Sequence, residues 1–140
     1  MPRIAETDEE IENCFEVMSQ LRPHIDQADF LSMVRLMESE GYRIAFLQEE
    51  GKVVAVAGYR ILNNLHMGKH LYINDLVTSD DERSRGHGKR LIKWLRTQAR
   101  SAGCGFIDLD SGTHRVRAHK FYYEQDFAIA SFHFSEELGD

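Results

Sequence analysis

Seven consecutive residues, Arg83-Ser84-Arg85-Gly86-His87-Gly88-Lys89, combine three cations with two glycines between an expected strand and an expected helix. A helix that begins there directs unbonded backbone N–H groups and the positive end of its dipole outward. Two glycines let the main chain approach a pyrophosphate, and Arg83, Arg85 and Lys89 can add charge-assisted hydrogen bonds to its oxygens. A bare glycine pair more often does no more than shape an ordinary turn. The basic residues are nevertheless uneven: Arg90, Lys93, Arg96 and Arg100 follow in the same stretch, which points to a local anionic ligand. Neither G-x-x-x-x-G-K-[ST] nor G-x-G-x-x-G is matched, so nucleoside triphosphate and dinucleotide readings lose their usual support.

Other residues have types suited to acid–base work. In an alternating strand over 71–77, Asp75 falls on the face of Leu71, Ile73 and Val77, costly for a carboxylate unless it borders a polar cleft. Asp75 is the first candidate base, with a salt-bridged structural role the equal alternative. Asp108, Asp110 and Ser111 close the next strand as surface-turn residues or as the lining of an acceptor site. His66, His70, His114 and His119 are scattered; His66 and His70 lie in an expected loop, so no metal is assigned. Cys14 falls on an apolar helical stripe and Cys104 lies between two glycines, so neither reads as a nucleophile or a disulfide partner.

The elements that must position these groups follow from periodicity. Thr7 and Glu10 form a capping box before Ile11, Cys14, Phe15, Met18 and Leu21 at helical spacing, closed by Pro23. A second helix is expected over 26–39, with Phe30, Met33, Val34 and Met37 on one stripe and Gly41 as its stop. Two apolar runs, 44–47 and 53–57, flank Glu50-Gly51 as a hairpin, and a third strand follows over 71–77. After the basic turn comes a helix with Leu91, Trp94, Leu95, Ala99 and Ala102 on one face. A strand over 106–109, a helix over 115–125 and a strand over 128–134 complete the order β-α-α-β-β-β-α-β-α-β.

At 140 residues, 42% hydrophobic and 29% charged, the chain has the size of one domain spanning 1–140. The net charge of −6 opposes binding to nucleic acid. No apolar run reaches a membrane span and no secretory signal is present, so a cytoplasmic protein is expected. The edge of the terminal strand around Ser131 to Phe134 is compatible with a homodimer.

The turn and its flanks together resemble the GNAT N-acetyltransferase superfamily. Arg83-Ser84-Arg85-Gly86-His87-Gly88 matches its signature of Arg or Gln, two residues, Gly, one residue, Gly or Ala. Asp75-Leu76-Val77 resembles the family's splayed strand, and Ala118-His119-Lys120-Phe121-Tyr122 with Phe127 resembles its A-x-x-F-Y…G-F segment. The resemblance implies a mixed α/β fold with a largely antiparallel central sheet flanked by helices, and acetyl-CoA as the acyl donor. It implies pantetheine along Leu76 and Val77, pyrophosphate on the turn from Arg83 through Ser84, Arg85, Gly86, His87 and Gly88 to Lys89, and Tyr122 facing the sulfur. With a phenol pKa of about 10, Tyr122 suits protonation of the leaving thiolate. The expected reaction is direct acetyl transfer to an amine, with a small molecule the favoured acceptor. A non-catalytic acyl-CoA sensor or interaction module on the same fold is the alternative. Three positions depart from the pattern: Ser79 replaces proline, Arg115 asparagine, and Asp126 the glycine before Phe127.

Overall fold

The structure, a computed structural model, describes residues 1–83 and 85–139. The chain forms two compact units, Met1–Leu109 and Asp110–Asp140. The first holds β1 (Arg3–Ile4), α1 (Asp8–Asn13), α2 (Phe15–Leu21), α3 (Gln27–Glu38), β2 (Arg43–Glu49), β3 (Lys52–Asn64), β4 (Gly68–Thr78), α4 (His87–Ser101) and β5 (Phe106–Leu109). The five strands lie side by side in chain order. The β1–β2, β2–β3 and β3–β4 pairs are antiparallel, whereas β4 and β5 are parallel, as α4 makes the crossover between them.

The capping box forms as expected. Thr7 Oγ1 accepts from the Glu10 backbone N–H while the Glu10 carboxylate accepts from Thr7 N–H and also from Glu6 N–H, and these last two bonds hold the Glu10 carboxyl down to about 2. The helix beyond it divides at Cys14, whose N–H bonds to the Ile11 carbonyl in a tighter turn. Ile11, Cys14, Val17, Met18, Phe30 and Val34 of α1 to α3 pack with Tyr42, Ile44, Phe46, Val53 and Val56 in one core cluster. The alternate residues Ala45, Leu47, Ala55, Ala57 and Tyr59 are also buried, and α4 contacts β3 and β4 while burying Leu91, Ile92 and Leu95 completely. Each of those three side chains contributes about 1.5–3 kcal/mol on leaving water.

In the second unit α5 (Val116–Glu124) is the helix expected there. The strand expected over 128–134 does not form: residues 128–139 carry neither helix nor strand, and Ile129, Phe132 and Phe134 are exposed. A strand needs a ladder, and a helix, whose backbone groups are bonded internally, offers none.

Candidate functional site

α4 begins at the basic turn. Its N-cap, Gly86, has φ +80, and a Cβ built there would meet no atom within 4 Å, so the main chain is open to a ligand. Among the described residues no side chain caps the helix, and the Arg90 N–H bonds to the Gly86 carbonyl. The amides of His87, Gly88 and Lys89 belong to the first turn, which has no acceptor within the helix itself, a fit for phosphate oxygens. Lys89 is exposed. Arg83 and Arg85 pair with the carboxylates of the preceding turn, Arg83 with Asp80 at 2.7 Å and Arg85 with Glu82 at 3.2 Å. Ser84 lies outside the described residues. His87 differs from a surface turn residue: it is buried, with neither ring nitrogen hydrogen-bonded among the described residues and Glu82 Oε2 4.0 Å from Nε2.

The segment leading into the turn is anchored at Ser79. Its N–H donates to the Val54 carbonyl, its hydroxyl donates to Asp81, and the Asp80 N–H donates to Gln20. Proline at 79 would lose the first of these bonds.

Leu76 and Val77 pair with Ala57 and Val56 of β3. On the other side, β5 pairs only with His70 to Ile73, so β4 runs on past Ile73 without a second neighbouring strand in this unit.

Asp75 lies on a different face from the one simple alternation assigns. The β3–β4 register passes from Tyr59↔Ile73 to Gly58↔Asp75, leaving Asn74 as an extra residue in a bulge. Residues opposite one another in a ladder share a face. Leu71 and Ile73 therefore go with Ile61 and Tyr59, whose ring meets Trp94 of α4 at 6.1 Å. Asp75 and Val77 go with Gly58 and Val56, on the face of α1 to α3.

There the Asp75 carboxylate is buried and twice bonded. Oδ2 accepts from the Tyr42 hydroxyl at 2.6 Å, and Oδ1 accepts from Arg22 Nε at 2.9 Å. Arg22 also donates to the Asn74 carbonyl at 2.9 Å, so it holds the bulge and the carboxylate together. Burial, and then the adjacent carboxylate, push the Tyr42 hydroxyl far above the phenol range, so it stays protonated as a donor. The Arg60 guanidinium lies over the Tyr42 ring, 5.8 Å from its centroid. Gly58 makes this packing possible: a Cβ there would lie 1.9 Å from Tyr42 Oη and 2.4 Å from Asp75 Oδ2.

Sequence reasoning missed Arg22, Tyr42, Gly58 and Arg60. An isolated glycine within the apolar run Val53 to Tyr59 was the available signal of a close approach. The expected loop placement of His70 is also corrected. It is buried in β4, with Nδ1 2.7 Å from Asp108 Oδ1 and Nε2 3.3 Å from Asn64 Nδ2, so it pins β5 to β4. Burial raises the Cys14 thiol to about 12, in keeping with an inert side chain.

In the second unit, Tyr122 lies in the last turn of α5, its ring 5.6 Å from Phe121 and 6.0 Å from Phe127. Burial raises its hydroxyl above the ordinary phenol value, with Arg115 acting in the opposite direction. Phe127 N–H bonds to the Tyr122 carbonyl and Asp126 N–H to the Tyr123 carbonyl, a Schellman closure with Asp126 at φ +68. His119 Nε2 bonds to the Gly112 carbonyl at 2.7 Å.

A mixed sheet whose fourth strand leads through a glycine turn into the helix that covers it is the architecture of an acyltransferase fold. The acetyltransferase (GNAT) family model matches residues 4–127, and the chain belongs to that family of acetyl-CoA-dependent acetyltransferases. It is 37% identical over 132 residues to the uncharacterized N-acetyltransferase YhdJ of Bacillus subtilis (strain 168), covering 93% of each chain. The fold is also that of glucosamine-6-phosphate N-acetyltransferase from Arabidopsis thaliana, with a TM-score of 0.79, 22% identity and coverage of 99% and 98%. AAC(6')-Iy, solved with a CoA-linked bisubstrate analog, aligns with a TM-score of 0.82 at 16% identity, with coverage of 99% and 98%.

Proposed function

We propose that this chain transfers an acetyl group from acetyl-CoA to the primary amine of a small acceptor, by direct attack within a ternary complex. The observation that carries the reading is the uncapped start of α4 at Gly86, with open space above the glycine and Arg83 and Arg85 on the same turn. Ser84, His87, Gly88 and Lys89 complete that diphosphate cradle, and the donor's arm runs beside Leu76 and Val77, where β4 lacks a second strand.

In the reaction, the nitrogen lone pair of the neutral amine attacks the thioester carbonyl carbon. A main-chain N–H near Leu76 or Val77 stabilises the oxyanion. The C–S bond then breaks as the C–N bond is completed. Tyr122 gives its proton to the departing thiolate, and the proton lost by the amine passes to Asp75 or water, so that amide and free thiol result. The chain acts as one cytoplasmic domain, and the exposed Ile129, Phe132 and Phe134 suit a homodimer contact.

Acetyl-CoA at 100 times its Kd should stabilise the protein by about 2.7 kcal/mol in a thermal-shift experiment, with amine-dependent release of free thiol. Tyr122→Phe should lower turnover more than acetyl-CoA affinity; unchanged turnover rejects the acid role. The second reading, a non-catalytic acyl-CoA sensor, draws on the commitment of both Asp75 oxygens to Tyr42 and Arg22. Binding without amine-dependent thiol release would favour it.

A further inference from the structure

Just beyond Ile73, β4 loses support on both sides at once. β5 ends its pairing at Ile73 in this unit, and on the β3 side the register slips so that Asn74 bulges out of the ladder. A bulge leaves the extra residue unpaired and raises the local twist, so the ladder no longer fixes the direction of the main-chain groups beside it. The transferase reading asks the opposite of residues 75–77, since a main-chain N–H near Leu76 or Val77 has to point at the thioester oxygen within a narrow cone.

Arg22 supplies the missing support. It stands just past the end of α2, where its N–H bonds to the Met18 carbonyl at 2.9 Å and its carbonyl accepts from Ile25 N–H at 3.2 Å, so its backbone is tied on both sides. From there Nη2 donates to the Asn74 carbonyl and Nε to Asp75 Oδ1, each at 2.9 Å. The first bond holds the peptide plane that joins Asn74 to Asp75, and the second holds the Asp75 side chain. With both held, rotation about the N–Cα bond of Asp75 is blocked. The remaining rotation aims the Leu76 N–H, and the pairing of Asp75 with Gly58 and of Leu76 with Ala57 limits it. Tyr42 grips the carboxylate alone, through Oδ2. The Arg22 side chain is 40% exposed and lies outside the apolar core cluster, so a substitution there leaves that core packed.

We infer that Arg22 is a positioning residue for acetyl transfer: its two-point clamp at the β4 bulge aims the main-chain N–H that polarises the thioester carbonyl. The inference rests on the transferase reading, which lays the donor's arm beside Leu76 and Val77. Arg22 touches neither acetyl-CoA nor the acceptor; it acts through Asn74 and Asp75. Lysine is a poor substitute, because a single ammonium on a flexible stem lacks the rigid fork that meets a carbonyl and a carboxylate together.

The test reads the thioester carbonyl directly and needs no acceptor. Acetyl-CoA labelled with carbon-13 at the carbonyl is bound to the full chain at saturation, and its carbonyl resonance is compared with that of the free compound. A hydrogen bond to the oxygen draws electron density from the carbon, so the wild-type protein should move the resonance downfield. Arg22→Gln should lose about half or more of that displacement, while the calorimetric Kd for acetyl-CoA stays within about threefold because the turn at Gly86 is untouched. Arg22→Lys should lie between. Tyr42→Phe breaks the other bond to the same carboxylate and leaves the Asn74 carbonyl held, so it should keep more of the displacement than Arg22→Gln. Melting curves check folding; should Arg22→Gln fail to fold, Arg22→Lys takes its place, with a full wild-type displacement counting against the inference. An undiminished displacement in folded Arg22→Gln, or an equal loss in Tyr42→Phe, would overturn it. A fall in affinity of about tenfold or more alongside the lost displacement would do the same, by showing a general structural role. Absent binding of acetyl-CoA to the wild type removes the transferase reading and this inference together, whereas binding without downfield displacement removes this inference and leaves the acetyl-CoA site standing.

Discussion

The Tyr42 hydroxyl donates to Asp75 Oδ2 across 2.6 Å, directly over the α-carbon of Gly58. The bond exists only because residue 58 has no side chain. Gly58→Ala should overpack this point at a cost of about 1–3 kcal/mol, lowering Tm by roughly 3 °C per kcal/mol for a chain of this length. Since Tyr42 Oη is the nearest obstacle, Tyr42→Phe combined with Gly58→Ala should lose less stability than the two single losses added together. Strict additivity in denaturant unfolding would reject the coupling.

The phosphate turn gives a contrasting prediction for glycine. Gly86 has φ +80 but open space around it, so Gly86→Ala meets strain without collision, about 1–2 kcal/mol. The turn must change shape to relieve that strain, and acetyl-CoA affinity should fall about tenfold for each 1.4 kcal/mol lost at the cradle. Calorimetry showing wild-type affinity in a folded Gly86→Ala protein would separate the backbone geometry from binding.

Asp126 occupies a left-handed position at the end of α5, where a side chain is a burden. Asp126→Gly keeps both Schellman hydrogen bonds and removes that burden, so stability should rise by about 1 kcal/mol. Urea unfolding midpoints test this, and a lower midpoint for the variant would show that the Asp126 side chain contributes more than its backbone costs.

Cys14 sets an alkaline limit. Its thiol titrates at 9.0 when free and about 12 in the fold, so the native state holds this proton more tightly. The associated stability is fully present below pH 9 and declines as pH rises towards 12, at about 1.4 kcal/mol per unit. Cys14→Ala should flatten that decline while lowering stability at neutral pH through the cavity it leaves. An unchanged slope between wild type and variant would assign the alkaline loss to other groups.

Much of this was legible in residue order. Thr7 and Glu10 announced their capping box, the hairpin at Glu50-Gly51 formed, and the turn from Arg83 to Lys89 opens the helix it was expected to open. Local signals sufficed because each depends on contacts within a few residues. What stayed hidden depends on pairing. Asp75 changed faces because one extra residue, Asn74, enters the ladder, and a strand pattern does not reveal how its neighbour is registered. Arg22 and Tyr42 belong to a loop end and a strand entry, far from Asp75 in sequence, and only the folded sheet brings them to it. The strand expected from the alternation over 128–134 failed for the complementary reason, since alternation describes a face and supplies no partner.

The ion pairs of the basic turn have a consequence for how an anion would be received. Arg83 and Arg85 are already matched with Asp80 and Glu82, so an incoming phosphate trades places with carboxylates instead of meeting bare cations. The turn is in effect an ion exchanger: the carboxylates return to water as the phosphates leave it. Fewer dissolved counter-ions change hands, and affinity should decline less steeply with added salt than the number of arginines alone suggests.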